Sequence, residues 1–111
     1  MKPNAITPAI ALTLALLGTA ASATQAAEPI PQGARLAATC TSCHGTNGQI
    51  QGNALPSLAG QQKEALLESL KAFKAGTRPA TIMTQIAKGY NDEQLEALAA
   101  YFAAQKQGGA Q

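Results

Sequence analysis

The chain of 111 residues has no tryptophan, two tyrosines, two phenylalanines, one histidine and two cysteines. Four aromatic side chains, Phe73, Tyr90, Tyr101 and Phe102, cannot fill a core by themselves, and a chain of this length holds one small domain. Such domains tend to lean on staples, metals or cofactors, so something bulky and apolar is expected from outside the polypeptide. Charge is sparse as well, 13% of residues with a formal net charge of +2. With neither basic clusters nor interleaved aromatics, a nucleic-acid partner is excluded. No apolar run approaches the roughly 20 residues that a membrane span needs. No segment alternates as a strand does and no internal repeat is visible, so the expected fold class is all-α.

The N-terminal stretch MKPNAITPAIALTLALLGTAASATQAA carries one lysine, an apolar centre from about Ala9 to Leu17, and then small residues. This is the layout of a secretory signal peptide over residues 1–27, with cleavage expected somewhere from position 23 to 27. Residues 28–106 are then the folded domain and 107–111 a flexible tail. A first helix is expected from Pro31 or Gln32 through "PQGARLAATCTSCH", with Leu36 and the cysteines facing inward. Gly33 is unusual inside a helix and points to close packing by another element. The run Gly45–Gly60 is rich in Gly, Asn and Pro and reads as a loop long enough to wrap something. Leu66, Leu67, Leu70 and Phe73 recur at helical spacing, and Gly76 stands where a left-handed C-cap ends that helix. A short helix follows, with Ile82, Met83, Ile86 and Ala87 on one side. In the last helix Asn91 and Gln94 form a capping box, Tyr90 and Leu95 a hydrophobic staple, and Leu95, Leu98, Ala99 and Phe102 the buried stripe.

Both cysteines and the one histidine fall within five consecutive positions, Cys40-Thr41-Ser42-Cys43-His44. Spacings of three and four put these side chains side by side on a helix. A structural zinc site would need a second ligand pair, and the chain has none. A thiol–disulfide oxidoreductase would place C-x-x-C beside a βαβ pattern, and no strand is visible. The remaining chemistry is covalent attachment of a c-type haem, for which C-x-x-C-H is the signature. Two sulfurs one turn apart add to the porphyrin's two vinyl groups, and His44 binds the iron. Haem also supplies the apolar bulk that the aromatic-poor core lacks.

A sixth iron ligand is then sought. Beyond the N-terminal segment Met83 is the one methionine left, and thioether is a known partner of histidine in electron-transfer haems. Core filling beside Ile82 and Ile86 is the competing reading for Met83; a tyrosine, a lysine or an open position are the competing ligands. The second ring nitrogen of His44 needs an acceptor, and the carbonyl of Pro56 is the candidate, although Pro56 also fits as loop punctuation.

Taken together, "GARLAATCTSCHG", "LPSLAGQ", "FKAGTR", Met83 and "LEALAAYFAAQ" make the sequence resemble the class I c-type cytochromes, in particular the short bacterial periplasmic type with one haem. The resemblance implies three main helices plus short helices and loops around one haem c and its iron. It puts Gly33 and Tyr101 where the first and last helices cross, Pro56 at the histidine-orienting position and Leu58 against the haem. "ATIMTQIAKGYNDEQLEALAAYF" is similar both to the haem subunit of flavocytochrome c sulfide dehydrogenase, which implies an FAD-containing sulfide dehydrogenase as partner, and to one half of the dihaem periplasmic cytochromes, which leaves the partner open. A terminal oxidase or other cytochromes are further redox partners, and this chain departs from both two-haem relatives by its single attachment site. The implied function is single-electron carriage in the periplasm by a protein that is not itself an enzyme. A haem enzyme or sensor with an open or displaceable axial site, for peroxide or a small gas, is the rival. Lys71, Lys74 and Arg78 share a helical face and either steer an acidic partner or stabilise the helix dipole.

Overall fold

The computed structural model describes residues 29–107. The expected signal segment, 1–27, and residues 108–111 of the expected tail lie outside the described residues. Five α-helices follow in order: α1 Gln32–Ala37, α2 Thr41–His44, α3 Lys63–Ala75, α4 Met83–Lys88 and α5 Asp92–Ala103, with a 3₁₀ turn at Thr46–Gly48 after α2. There is no strand among the described residues, and the fold is all-α.

The longer helices are held at their ends by local chemistry. The Asn91 side chain accepts from the Gln94 amide at 2.8 Å, and the Gln94 side chain accepts from the Asn91 amide at 2.9 Å, a complete capping box that starts α5. At the other end of α3, Gly76 is left-handed, and Thr77 donates back to the Ala72 carbonyl at 3.0 Å, which stops the helix.

The expected first helix is broken into two. Thr39 Oγ1 donates to the Leu36 carbonyl at 3.0 Å, Thr41 Oγ1 to that of Ala38 at 2.8 Å and Ser42 Oγ to that of Thr39 at 3.3 Å. Hydroxyls that compete for carbonyls loosen the main-chain ladder, and the segment 38–40 becomes a turn. The inward cysteines also need correction: Cys40 is half-buried, but Cys43 is exposed. Ile82 does not join the inner side of α4 either; it precedes the helix as its N-cap and is 59% exposed.

The core is a small cluster of Ala37, Leu66, Leu95, Leu98, Ala99 and Phe102, with Leu36, Cys40, Leu58, Leu67, Leu70, Tyr90 and Tyr101 packed at its edge. Burial of each leucine contributes about 1.5–3 kcal/mol. α5 is the central element: α1 crosses it on one side, α3 lies along it, and α4 packs on α3. Gly33 is buried at the first crossing, where an added Cβ would strike the Ala97 carbonyl oxygen and stand 2.9 Å from Tyr101 Cβ. Two ion pairs on the surface tie α3 to α5, Lys63–Glu96 and Lys74–Asp92, each at 2.8 Å. Lys74 is therefore engaged by Asp92. Arg78 lies beyond the end of α3, its guanidinium 4.8 Å above the Phe73 ring and 2.6 Å from Ser69 Oγ, so it does not share a helical face with Lys71 and Lys74. After α5 the chain stays tied to the long loop, because Gln49 donates to the Lys106 carbonyl at 2.7 Å.

Two outcomes follow. Gly33→Ala should lower stability by about 1–3 kcal/mol, the usual cost of overpacking, read as a lower urea midpoint. Lys74 and Lys63 hold the Asp92 and Glu96 carboxyls below their ordinary pKa through hydrogen bonds and charge. Carboxylates depressed in the folded state stabilise it above their unfolded pKa and lose that contribution as pH falls. Asp92→Asn combined with Glu96→Gln should therefore flatten the acid side of the stability–pH curve, measured by urea melts from neutral pH downward.

Candidate functional site

The site is built from α2, the 3₁₀ turn and the loop that follows. His44 closes α2 and is buried, 7% exposed. Its backbone N–H donates to the Cys40 carbonyl at 2.9 Å, so the histidine and the first cysteine are locked in one helical turn. Its Nδ1 lies 2.8 Å from the Pro56 carbonyl oxygen. A carbonyl only accepts, so Nδ1 carries the proton and Nε2 keeps its lone pair for a metal.

Pro56 reaches this position because the loop is clamped just behind it. The buried Gly48 offers one carbonyl to three donors: the Leu58 amide at 2.8 Å, the Ala59 amide at 3.2 Å and the Ser57 hydroxyl at 2.9 Å. Gly48 has φ of 76°, and an added Cβ would meet Phe102 Cδ1 at 2.7 Å. Leu58 is half-buried against the core, whereas Pro56 itself is exposed.

Both flanks of the C-x-x-C-H turn are tied to the α5 region by tyrosine hydroxyls. Thr39, just before Cys40, lies 2.7 Å from Tyr90 Oη, and Asn47, three residues after His44, accepts from Tyr101 Oη at 2.8 Å. In the sequence Tyr90 reads as a staple and Tyr101 as a packing residue, and neither the two hydroxyl contacts nor the Gly48 clamp leaves a local signal there. The αL conformation of Asn47, φ 55°, left a trace in the turn-like "TNG".

The cysteines are free rather than paired in a disulfide. Burial pushes the Cys40 thiol above its ordinary pKa, the Thr39 hydroxyl pulls the other way, and charge on Cys43 adds to the rise. Among the described residues no three His, Cys, Asp or Glu side chains gather as a metal site. The absence of strands among the described residues removes the βαβ context of a thiol–disulfide oxidoreductase. Met83 is half-buried at the first position of α4 and is not among the side chains of the core cluster. Leu55 and Ile82, 41% and 59% exposed, add apolar surface. Two free thiols a turn apart, an imidazole with Nε2 available and exposed aliphatic side chains fit a covalently bound haem.

Because the acceptor is a main-chain carbonyl, the proline ring is dispensable to the bond. Exchange of the His44 Nδ1 proton, followed by NMR, should stay slow in Pro56→Ala and quicken in Gly48→Ala, which displaces the clamp.

Residues 30–106 match the family model described as "Cytochrome c". The chain is 38% identical over 103 residues to cytochrome c4 of Pseudomonas aeruginosa, a match covering 93% of this chain and 49% of that protein. It is 41% identical over 71 residues to cytochrome c-554(548) of Halomonas halodenitrificans, covering 61% of this chain and 86% of the relative. It is 36% identical over 86 residues to the cytochrome subunit of sulfide dehydrogenase of Chlorobaculum tepidum, covering 76% and 77%. The chain thus spans about half the length of the cytochrome c4 that it matches. With one C-x-x-C-H turn and a matching region that takes in all five helices, the chain belongs to the cytochrome c family, whose haem c and iron are held covalently.

Proposed function

We propose that the protein carries single electrons on one haem attached through Cys40 and Cys43 and ligated by His44 and Met83. The observation that carries this reading is the 2.8 Å bond from His44 Nδ1 to the Pro56 carbonyl, which fixes the tautomer with Nε2 free to bind iron. Haem supplies an iron that exchanges one electron between its ferric and ferrous forms. Cys40 and Cys43, three residues apart in the same turn, would hold the haem through thioether bonds. Hydrogen bonding by the Pro56 carbonyl makes the imidazole a stronger donor and keeps its ring from rotating. Leu58, half-buried against the core beside the clamp, would pack against the haem and keep water off the histidine side. Met83 would supply the second protein ligand to the iron; it is the one methionine besides Met1, and a thioether there would raise the reduction potential relative to harder donors.

With His44 and Met83 both on the iron no place would remain there for a substrate, which makes the protein a carrier rather than an enzyme. The rival, a haem enzyme or gas sensor, needs that position open, and a relative over 58% of this chain is named thiosulfate dehydrogenase electron acceptor. We place the protein in the periplasm, exported by residues 1–27, which leaves 28–106 as the cytochrome domain and 107–111 as its tail. The partner is a redox protein, with an FAD-containing sulfide dehydrogenase the reading that the sulfide dehydrogenase subunit supports best. No helix among the described residues is long and apolar enough to cross a membrane.

The test is spectroscopic. Purified ferric protein should show the weak red sulfur-to-iron charge-transfer band, and Met83→Ala should abolish it and lower the reduction potential. A band that survives the substitution refutes Met83 as ligand.

A further inference from the structure

Tyr90 occupies an unusual junction. On its N-terminal side it is bonded into the end of α4: the Gly89 amide donates to the Ile86 carbonyl at 3.0 Å and the Tyr90 amide to that of Ala87 at 3.2 Å. On its C-terminal side it adjoins the α5 capping box, and its ring packs against the core cluster. Its hydroxyl reaches across the fold to Thr39 Oγ1, 2.7 Å away and 51 residues distant in sequence. The Thr39 hydroxyl proton is already committed to the Leu36 carbonyl at 3.0 Å, so Thr39 accepts here and Tyr90 donates. Thr39 is the residue immediately before Cys40.

Met83 stands at the opposite end of the same short helix. The chain leading into it, residues 79–82, is irregular and exposed, so little restrains the methionine from that direction. Its restraint comes from α3, on which α4 packs, and from downstream, where Ala87 is fully buried and Tyr90 is fastened both to the core and to the turn that carries Cys40.

We propose that Tyr90 is a positioning residue: its hydrogen bond to Thr39 holds the α4 segment against the C-x-x-C-H turn and sets how readily the Met83 thioether is displaced from iron. The proposal rests on Met83 being the sixth ligand. A ring anchored in the core loses little further freedom when its hydroxyl bonds, so the contact is not diluted as a bond between two free surface chains would be.

The experiment uses the ferric holoprotein with saturating imidazole, where the rate of the spectral change reports release of Met83. Tyr90→Phe and Thr39→Val should each raise that rate about three- to tenfold, the range expected for one net hydrogen bond. The double variant should be no faster than either single one, and Thr39→Ser, which keeps the hydroxyl, should behave as wild type. Tyr101→Phe breaks the corresponding bond to Asn47 on the histidine flank and serves as the control. It should leave the rate unchanged even if its urea midpoint falls as far as that of Tyr90→Phe. Unchanged rates in Tyr90→Phe, or equal increases in Tyr90→Phe and Tyr101→Phe, would overturn the proposal. These failures are distinct from failure of the ligand reading, which would appear as a wild-type charge-transfer band that is absent or survives Met83→Ala.

Discussion

The hydrogen bond between His44 Nδ1 and the Pro56 carbonyl is the constraint around which the rest of the molecule is arranged. A buried imidazole needs a partner for its proton, and here that partner is a main-chain oxygen from an otherwise exposed loop. The loop cannot hold that oxygen by itself, since residues 51–57 are exposed. It is held because the Gly48 carbonyl gathers Ser57, Leu58 and Ala59, and because Gly48 is itself seated against Phe102 of α5. Moving any member of this series moves the imidazole.

α5 therefore serves as more than a core helix. Its inner side supplies Leu95, Leu98, Ala99 and Phe102 to the cluster, and the tyrosines within it and just before it reach back to the two flanks of the C-x-x-C-H turn. This explains why so small a core can hold a precise site: the hydrophobic cluster fixes the rings, and the rings carry hydroxyls whose positions are then set almost without further entropic cost. The same economy appears at Gly33, where omission of a side chain lets α1 lie directly on the backbone of α5. The ion pairs Lys63–Glu96 and Lys74–Asp92 lie on the surface and add little to this arrangement beyond keeping α3 in register with α5.

Features whose cause is local were legible. The Asn91–Gln94 box depends on residues three apart, and Gly76 ends α3 because a left-handed backbone position favours glycine. The buried stripe of α5 follows from helical periodicity. Less legible were features decided by competition. The hydroxyls of Thr39, Thr41 and Ser42 capture carbonyls and split the first helix, although the same residues could have remained within it. Periodicity put Ile82 on the inner side of a helix that begins one residue later. Lys74 and Arg78 looked like one cationic face, but Asp92 and Phe73, brought close by folding, direct them to separate contacts.

By itself the sequence determined the all-α class, the haem-attachment chemistry and the family, because helical period, capping and the C-x-x-C-H spacing are properties of neighbouring residues. Only the tertiary structure decided that Thr39 meets Tyr90, that Asn47 meets Tyr101 and that one glycine carbonyl secures the loop. The first two contacts join residues more than fifty positions apart, and nothing in local spacing encodes a distance that exists only after α1 and α5 have crossed.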